Sequence, residues 1–566
     1  MINNVKNAFS KIPVNFHDNM LLIQKQPHTA PVAHLNECCC GRSTACYYFL
    51  ARYFSAINDK TAVDLLTELS KLQITDEQSD FFGCCRWYRE EDKISDSNGA
   101  FFVLLPIALT YLLCYDKITE KEKLIIKQLL SNASKWFSKQ CQGELYYSNK
   151  IMSDGSMLSL IAYITGKYVD ESNLFWKKWS AYACEFGMGW GENTSDCYSR
   201  IMLNALIVAS LVTLDKDLNS MLKKQTTELI DYIAFHNGKE FVPSIRSYNF
   251  SGSIEYGGII YKSFIEPDAL NDFFDLITAV ILYEAEIDVP DFFKSEPVRK
   301  EHIYDASYAY TWKGKNLRLG TVSAFPVMEG CYQNETWGLA WQSMPVSALI
   351  ENNHVAFLKL RAISNDHEHS YPARDKHSAY LYNKLFEDNN IPDSRMLCMQ
   401  KDNIAIVVRS MTHLANRASA IYDEWYIPET GTHKLYKTTF NNREWYIAEY
   451  DSCAIAILPL KTIAAVSEQR EEPKVKIITN NNFSSIANVL YEGEETMLIS
   501  DRLESAWIIV ALDSKEYIES TLNNISIKDS VLHDSTLPRN SKTTKRYIEC
   551  ITDDNTVSII YDPYKK

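Results

Sequence analysis

The chain has 566 residues, of which 46% are hydrophobic and 23% are charged, and it carries a formal net charge of -14. This length exceeds one ordinary hydrophobic core and predicts several domains. The acidic balance excludes a nucleic-acid partner, because phosphate binding requires a basic field. It does not exclude an anionic polysaccharide, because a local cluster of Arg, Lys and Asn reverses the field inside a cleft.

The composition also bears on the compartment of the protein. The longest apolar run, residues 101–114, is too short to cross a bilayer and predicts a buried helix, so no membrane partner is expected. The first residues lack the basic start and apolar stretch of a secretory signal. We therefore expect a cytoplasmic protein, or a periplasmic or secreted one if a signal precedes this sequence. The 14 cysteines are then expected to be mostly reduced, buried thiols.

The first half of the chain has helical periodicity. Apolar residues recur with a period near 3.6 between about residues 40 and 290, in segments separated by short Gly, Asn, Asp and Ser loops. Such short connections favour antiparallel helix hairpins. No fixed-length repeat is visible, which disfavours a helical solenoid. The pattern therefore predicts an (α/α)n toroid of helix hairpins over residues 1–295.

From about residue 300 the apolar period changes to two. Short β-branched and aromatic runs, such as those at residues 403–411, 419–427, 443–458 and 505–513, are divided by Asn, Asp, Gly and Pro turns. Two of these turns, at residues 441–445 and 553–557, have the composition of hairpins. The fold class is therefore multidomain, α then β, with an antiparallel β-sandwich over residues 296–566.

Four segments resemble those of polysaccharide lyases that join a helical toroid to a β-domain. They are WGENTSDCYSR at residues 190–200, SIRSYNFSGSIEYGG at 244–258, YQNETWGLAWQSMPVSAL at 332–349 and SDSNGAFF at 95–102. The resemblance is to the heparinase II/III group and to alginate, chondroitin AC and hyaluronate lyases. It implies β-elimination on a uronic-acid polymer such as alginate, glucuronan or a glycosaminoglycan, by a monomer or homodimer that needs no cofactor.

That reaction removes the weakly acidic proton next to the sugar carboxylate, so donors must neutralise this carboxylate as the enolate forms. By the resemblance, Asn193 is the neutralising residue. It follows a Gly-rich loop and precedes a helix, so it would equally serve as a helix N-cap. Some relatives have His after this Asn, whereas Thr194 follows it here, so a His base must come from elsewhere or a Tyr must perform both proton transfers.

His236, at the end of a long helical segment, is the candidate base. In the sequence it lies between Asn193 and the segment at residues 244–258, which carries an arginine and two tyrosines. By the resemblance, this is the order found in chondroitin-lyase-like proteins. The structural alternative is a histidine that interacts with the helix dipole before an Asn-Gly cap.

Arg246, Tyr248 and Tyr256 share one Gly/Ser-rich stretch, and loops on a rigid scaffold often carry catalytic groups. Arg246 would position the substrate carboxylate. Either tyrosine would serve as the acid, with Tyr256 favoured and Tyr248 second. For any single one of the 34 tyrosines, aromatic packing is the more common role.

A second set of residues is expected to contact substrate. Tryptophans line sugar subsites or pack at domain interfaces, and Arg86 either contacts an anionic chain or pairs with neighbouring acids. The substrate-binding candidates are Trp190, Glu192, Arg86, Asn98, Trp337 and Trp341.

The segment NDHEHSYPARDKH, residues 365–377, permits a structural zinc or calcium ion through Asp366, His367, Glu368, His369 and His377. The alternatives are a solvated polar loop or, for His367 and His369, a helper role in the cleft.

Two other functions remain open at this level. A glycoside hydrolase on the same scaffold needs two carboxyl groups across the bond, and Glu192, Asp196 and Glu255 are available. A non-catalytic carbohydrate-binding protein would retain the fold without the chemistry. The motifs of nucleotide-binding proteins, serine esterases and zinc proteases are absent.

Overall fold

The computed structural model describes residues 1–188, 191–237, 240–249, 251–254, 257–327, 343–364, 393–431, 433–465, 467, 469–479, 483–532, 544–553 and 555–563, with only the backbone at 367–369 and 393. The chain forms two compact units. The helical unit consists of Met1–Gly189, Tyr198–Gly238 and Gly258–Lys294. The sheet unit consists of Trp190–Cys197, Lys239–Gly257 and Ser295–Lys566.

The helices follow the predicted apolar segments. They are α1 (Ile2–Lys11), α2 (Gly41–Tyr53), α3 (Asp59–Ser70), α4 (Gly99–Leu113), α5 (Glu120–Gln140), α6 (Ser148–Thr165), α7 (Val169–Phe186), α8 (Asp196–Val212), α9 (Lys216–Phe235), α10 (Ile259–Ile265) and α11 (Phe273–Glu284). A small antiparallel sheet of β1 (Phe16–His17), β2 (Met20–Ile23) and β3 (Cys38–Cys39) precedes α2.

The helices of this unit pack into a ring whose two ends meet. Helix α2 packs against α4, and α4 against α6, while α3 packs against α5 and α7 against α9. The last helix, α11, packs against both α1 and α2, and its Thr278 accepts a 2.9 Å hydrogen bond from Asn204 of α8. Helix α4 is buried over most of its surface, as its almost wholly apolar sequence predicts. The chain therefore closes on itself as expected of a toroid.

The strands of the sheet unit are short at the edges and long in the centre. They are β4 (Val298–Tyr304), β5 (Ser307–Lys313), β6 (Leu317–Val322), β7 (Ala324–Phe325), β8 (Val346–Ile350), β9 (His354–Ser364), β10 (His367–His369), β11 (Asp393–Lys401), β12 (Ile404–Pro428), β13 (Lys434–Phe440), β14 (Arg443–Glu449), β15 (Ala454–Pro459), β16 (Val475–Thr479), β17 (Phe483–Leu512), β18 (Ser526–Leu532), β19 (Lys545–Ile551) and β20 (Thr556–Tyr561), with a short helix α12 (Ile518–Asn523).

One large antiparallel sheet has the strand order β13-β14-β15-β17-β12-β9-β8-β6-β5-β4. Its main core contains residues from both ends of this order, such as Leu319 of β6 and Ile457 of β15, together with Trp507 of β17. The sheet is therefore folded over one apolar core, as in a sandwich. On the other face of β17, Ile508 belongs to a second core that the three-stranded sheet β18-β19-β20 covers.

The predicted fold class, helices followed by antiparallel sheet, is confirmed. The hairpin predicted at residues 441–445 joins β13 to β14, and Asn441 and Asn442 both have the positive φ of a tight hairpin turn. Most of the cysteines in the described ranges are buried free thiols. Among the described helices, none combines the length and apolarity needed to span a bilayer.

Candidate functional site

Two loop segments of the sheet unit carry several of the predicted site residues, and they lie against each other. The N–H of Ile245 donates to the carbonyl of Thr194 at 3.1 Å. The hydroxyl of Ser195 donates to the carbonyl of Arg246 at 2.8 Å. Residues 192–195 and 245–246 are therefore joined by backbone and side-chain hydrogen bonds, although about 50 residues separate them in sequence.

Asn193 lies in a 3-10 turn, Glu192–Thr194, that begins after the left-handed Gly191. A side chain at Gly191 would contact Ile303 of the sheet, so only glycine permits this approach. Asn193 is 2% exposed, and its side-chain oxygen has no hydrogen-bond partner within the described part of the chain. Because buried polar groups are nearly always paired, this amide requires an explanation beyond folding.

Arg246 and Glu192 form a buried ion pair. The guanidinium Nη1 lies 2.6 Å from Glu192 Oε1, and the two side chains are 9% and 0% exposed. Arg246 also has a φ of 64°, a left-handed conformation that costs a non-glycine residue about 1 to 2 kcal/mol. Such strain persists only where the surroundings hold the residue in place, which is typical of functional sites.

Tyr248 is half-buried and lies two residues after Arg246, between two side chains that bind the same carboxylate. Glu240 accepts a 3.0 Å hydrogen bond from Ser247 Oγ and another from Asn249 Nδ2. Burial raises the pKa of the Glu240 carboxyl, and these hydrogen bonds oppose that rise. Sequence reasoning did not identify Glu240, which precedes the segment at residues 244–258 and follows a Gly-Lys pair typical of an exposed loop.

The backbone of this segment rests directly on the sheet. A side chain at Gly320 of β6 would clash with the backbone of Val242 and Pro243. The Thr311 hydroxyl of β5 donates to the Val242 carbonyl at 2.5 Å. At the end of the segment, Gly257 has a φ of 110°.

Three predicted residues belong to the helical unit. His236 ends α9, is fully buried, and has edge-on ring contacts with Tyr232 and Phe235. Arg86 donates to the backbone carbonyls of Glu91 and Lys71 at 2.7 and 2.8 Å. Asn98 precedes α4 and makes no capping hydrogen bond with its side chain. Their predicted roles stay predictions.

The helical unit also has a cluster of charged and aromatic side chains at the start of α2, α8 and α11. Arg42 of α2 pairs with Asp272 at 2.9 Å and lies over the ring of Phe274, 5.0 Å from its centre. Arg200 of α8 pairs with Asp275 of α11. Burial raises the pKa of Asp272, but Arg42, the backbone N–H of Phe274 and Arg200 together outweigh burial and hold this pKa below its ordinary value. Both arginines of this cluster are therefore bound by aspartates at the start of α11.

Several predicted residues lie outside the described residues: Trp190, Glu255, Tyr256, Trp337, Trp341, Asp366 and His377. For His367 and His369 only the backbone of β10 is described. Within the described ranges, no group of three or more His, Cys, Asp or Glu side chains is arranged to hold a metal ion.

Solved structures of polysaccharide lyases are similar to this chain over most of its length. Heparinase III matches at a TM-score of 0.47 and 10% identity, over 92% of this chain and 82% of that one. The Streptomyces coelicolor A3 chondroitin AC lyase in complex with chondroitin sulphate matches at a TM-score of 0.49 and 7% identity, over 99% and 88%. The Pedobacter heparinus heparan sulfate lyase HepC matches at a TM-score of 0.37 and 10% identity, over 100% and 90%.

No protein-family model matches the chain, and no curated protein matches it by sequence. Since each TM-score is below 0.5 and each identity is at most 10%, the structural likenesses do not assign an activity to this chain.

Proposed function

We propose that this protein is a polysaccharide lyase that cleaves a uronic-acid-containing polysaccharide by β-elimination. The observation that carries the proposal is the buried Asn193 amide, whose oxygen has no hydrogen-bond partner among the described residues. Asn193 adjoins the Glu192–Arg246 ion pair, which fixes a guanidinium in the same pair of segments. The amide is a neutral hydrogen-bond donor and the guanidinium is a cationic one. Together they can neutralise the sugar carboxylate while the enolate forms during proton removal.

The reaction assigns a role to each residue. The Asn193 amide donates to the substrate carboxylate, and Arg246 orients it. A base, the phenolate of Tyr248 or Tyr256, takes the C5 proton. The C5 electron pair forms the C4–C5 double bond as the C4–O bond breaks, and the departing oxygen takes a proton from the tyrosine hydroxyl. The products are a new sugar end and an unsaturated uronate.

The orientation of the Asn193 amide does not limit this role. An amide group presents an acceptor oxygen on one side and two N–H donors on the other, and a half-turn about its terminal bond exchanges them. A site that leaves one side unpaired therefore supplies N–H donors to an anionic ligand after that rotation. The cost of the unpaired amide in the free protein, about 1 to 3 kcal/mol, is recovered when the ligand pairs it.

One contact disfavours Glu192 as a carboxyl group of a hydrolase. A hydrolase requires two carboxyl groups that face the glycosidic bond. Glu192 is instead paired with Arg246. Asp196 is buried, and Glu255 lies outside the described residues.

A panel of anionic polysaccharides tests the proposal. We expect alginate, glucuronan, chondroitin, hyaluronan or heparan chains to yield a product that absorbs near-ultraviolet light from its new double bond. The matched control is the same polymer with its carboxyl groups reduced to alcohols, which should give no product because the C5 proton is no longer activated. New reducing ends without absorbance would indicate a hydrolase, and binding without cleavage a carbohydrate-binding protein; either result contradicts the proposal.

A further inference from the structure

We propose that Glu240 is a positioning residue that holds the Tyr248 phenol in place for proton transfer, an inference that rests on the proposed lyase function. Tyr248 lies between two residues that are both bound to this one carboxylate. Ser247 Oγ donates to Glu240 Oε2 at 3.0 Å, and Asn249 Nδ2 donates to the same oxygen. The residues on both sides of the tyrosine are thereby fixed from one point.

A third hydrogen bond closes this arrangement. The backbone N–H of Asn249 donates to Ser247 Oγ at 3.0 Å, so the two flanking residues are also bound to each other. Ser247, Asn249 and Glu240 are each at most 2% exposed. Tyr248, by contrast, is only half-buried. The turn therefore has a buried polar base and presents its tyrosine at a partly accessible position.

The segment is also anchored before the tyrosine. Ser244 exchanges two backbone hydrogen bonds with Met344, at 2.8 and 3.2 Å. Arg246 is bound through its carbonyl to Ser195 and through its guanidinium to Glu192. With these contacts made at residues 244 and 246, the Glu240 carboxylate supplies the restraint at 247 and 249. A residue in such a frame loses little conformational entropy when it meets substrate.

Burial of a carboxylate costs desolvation free energy that an apolar side chain of similar size would not cost. An apolar residue would avoid the desolvation of a charged group, whereas Glu240 places a carboxyl group here whose hydrogen bonds include those from Ser247 and Asn249, the two neighbours of Tyr248. The carboxylate makes no proton transfer in this proposal. It acts through the orientation of Tyr248, which depends on an acceptor oxygen and not on a charge.

Four variants test this assignment. With the substrate found by the polysaccharide panel, we expect Glu240→Ala to lower kcat about 100-fold, the loss typical of a misplaced catalytic group, while KM changes little. Glu240→Gln keeps an acceptor oxygen and should restore most of kcat. Glu240→Ala combined with Tyr248→Phe should be no slower than Tyr248→Phe alone, because the carboxylate acts only through that phenol. The exposed Glu494→Ala, in the same unit, should leave kcat unchanged.

Other outcomes overturn the inference and distinguish it from the function. Glu240 does not act through this tyrosine if Glu240→Ala retains wild-type kcat. The same conclusion follows if the double variant loses kcat by the product of the two single-variant factors. In both cases the lyase function stands. If Tyr248→Phe retains wild-type kcat while Tyr256→Phe does not, the inference again fails alone. If the wild type cleaves no polysaccharide, both proposals fail. Should Glu240→Ala not fold, Ser247→Ala and Asn249→Ala each remove one of the two bonds and are expected to give smaller losses of kcat that also vanish on the Tyr248→Phe background.

Discussion

Asn193 is the residue of the site at which a catalytic role and a structural role are most clearly distinguished, because the hydrogen bonds of its side chain differ between the two. A helix cap or a packing residue stabilises the fold through the bonds that it makes. The Asn193 side chain is buried, yet its oxygen makes no hydrogen bond with the described residues. An unpaired buried amide lowers the stability of the free protein, so its presence is better explained by a ligand than by folding.

We therefore expect Asn193→Ala to reduce activity without reducing stability. Loss of one donor to a developing negative charge should lower kcat about 100- to 1,000-fold. The free energy of unfolding should stay within about 1 kcal/mol of wild type, because no hydrogen bond is lost. Activity on the identified polymer and denaturant unfolding of the same preparation measure the two effects.

Asn58→Ala is the matched control for this variant. Asn58 Oδ1 accepts a 2.9 Å hydrogen bond from the N–H of Thr61 and so caps α3. Its replacement should cost about 1 kcal/mol of stability and leave kcat unchanged. If Asn193→Ala instead behaves like Asn58→Ala, Asn193 is a structural residue.

The sequence was sufficient to name residues with local signals but not those defined by distant contacts. Asn193, Arg246 and Tyr248 lie in Gly- and Ser-rich segments, where functional loops are expected. Glu240 follows a Gly-Lys pair and looks like a solvated surface residue. Only the chain reversal that brings Ser247 and Asn249 back to it reveals that it is buried.

At the scale of elements, one buried network of charged side chains connects the three-stranded sheet β18-β19-β20 to the large sheet. Glu504 of β17 pairs with Arg546 of β19 at 2.9 Å and with Arg470 at 2.8 Å, and it also pairs with Arg502. Arg546 in turn binds Asp529 of β18. Burial by itself raises the pKa of the Glu504 carboxyl, but the three arginines outweigh burial and lower it to about 2.

This shift predicts how stability depends on pH. Because the carboxyl has an ordinary pKa of 4.5 in the unfolded chain and about 2 in the folded one, its contribution of about 3 kcal/mol is complete above the higher value and is lost as the pH falls through the lower one. Glu504→Gln should reduce the free energy of unfolding at pH 7 by about 3 to 5 kcal/mol, since it removes the carboxylate that three buried arginines share.

Urea unfolding of both proteins across acidic pH measures this effect. The stability difference between wild type and Glu504→Gln should shrink as the pH is lowered below about 4.5. Glu494→Gln, an exposed change on the same strand, should leave the stability within about 0.5 kcal/mol of wild type at every pH. A difference between wild type and Glu504→Gln that does not depend on pH would contradict the assigned pKa.

The apolar period of the sequence predicted whether each element is a helix or a strand. It did not predict the length of the central strands. The predicted strands at residues 403–411 and 419–427 are two parts of the single strand β12, which continues to Pro428. The interval between them contains His413, Asn416 and Arg417, polar residues typical of a turn. Pairing with β17 continues the strand through this interval, with a left-handed residue at His413 (φ 58°) and register shifts near Ala418 and Ile421. Such long-range pairing leaves no period in the local sequence.

At the scale of the whole molecule, the chain alternates between its two units. After the helical segment Met1–Gly189 it enters the sheet unit at Trp190–Cys197, and it does so again at Lys239–Gly257 before the final segment Ser295–Lys566. These two insertions are loops without a regular apolar period, so periodicity gives no sign of which unit they belong to. They contain Asn193, Arg246, Tyr248 and Glu240, which means that the proposed chemistry depends on the sheet unit for its framework.

The alternation predicts that residues 295–566 do not complete their own cores. Val242 packs with Met344, Phe357 and Tyr426, and Ile245 belongs to the main core of the sheet. Each of these two side chains contributes about 1.5 to 3 kcal/mol when buried. The fragment 295–566 should therefore bind the dye ANS, which reports exposed apolar surface, and should unfold at a lower temperature than the full chain.

A peptide of residues 239–257 should reverse this effect when it is added to the fragment. It supplies Val242 and Ile245, and Gly320 leaves room for its backbone on β6. The same peptide with Val242→Asp and Ile245→Asp is the matched control, and it should have no effect because burial of two carboxylates costs more than the remaining contacts supply. If the fragment alone shows no ANS binding, or if both peptides act equally, these residues are not part of the core of the sheet unit. The expected result would show that the loops carrying the site are held by the folding of the sheet unit, and hence that its stability sets the geometry of the reaction.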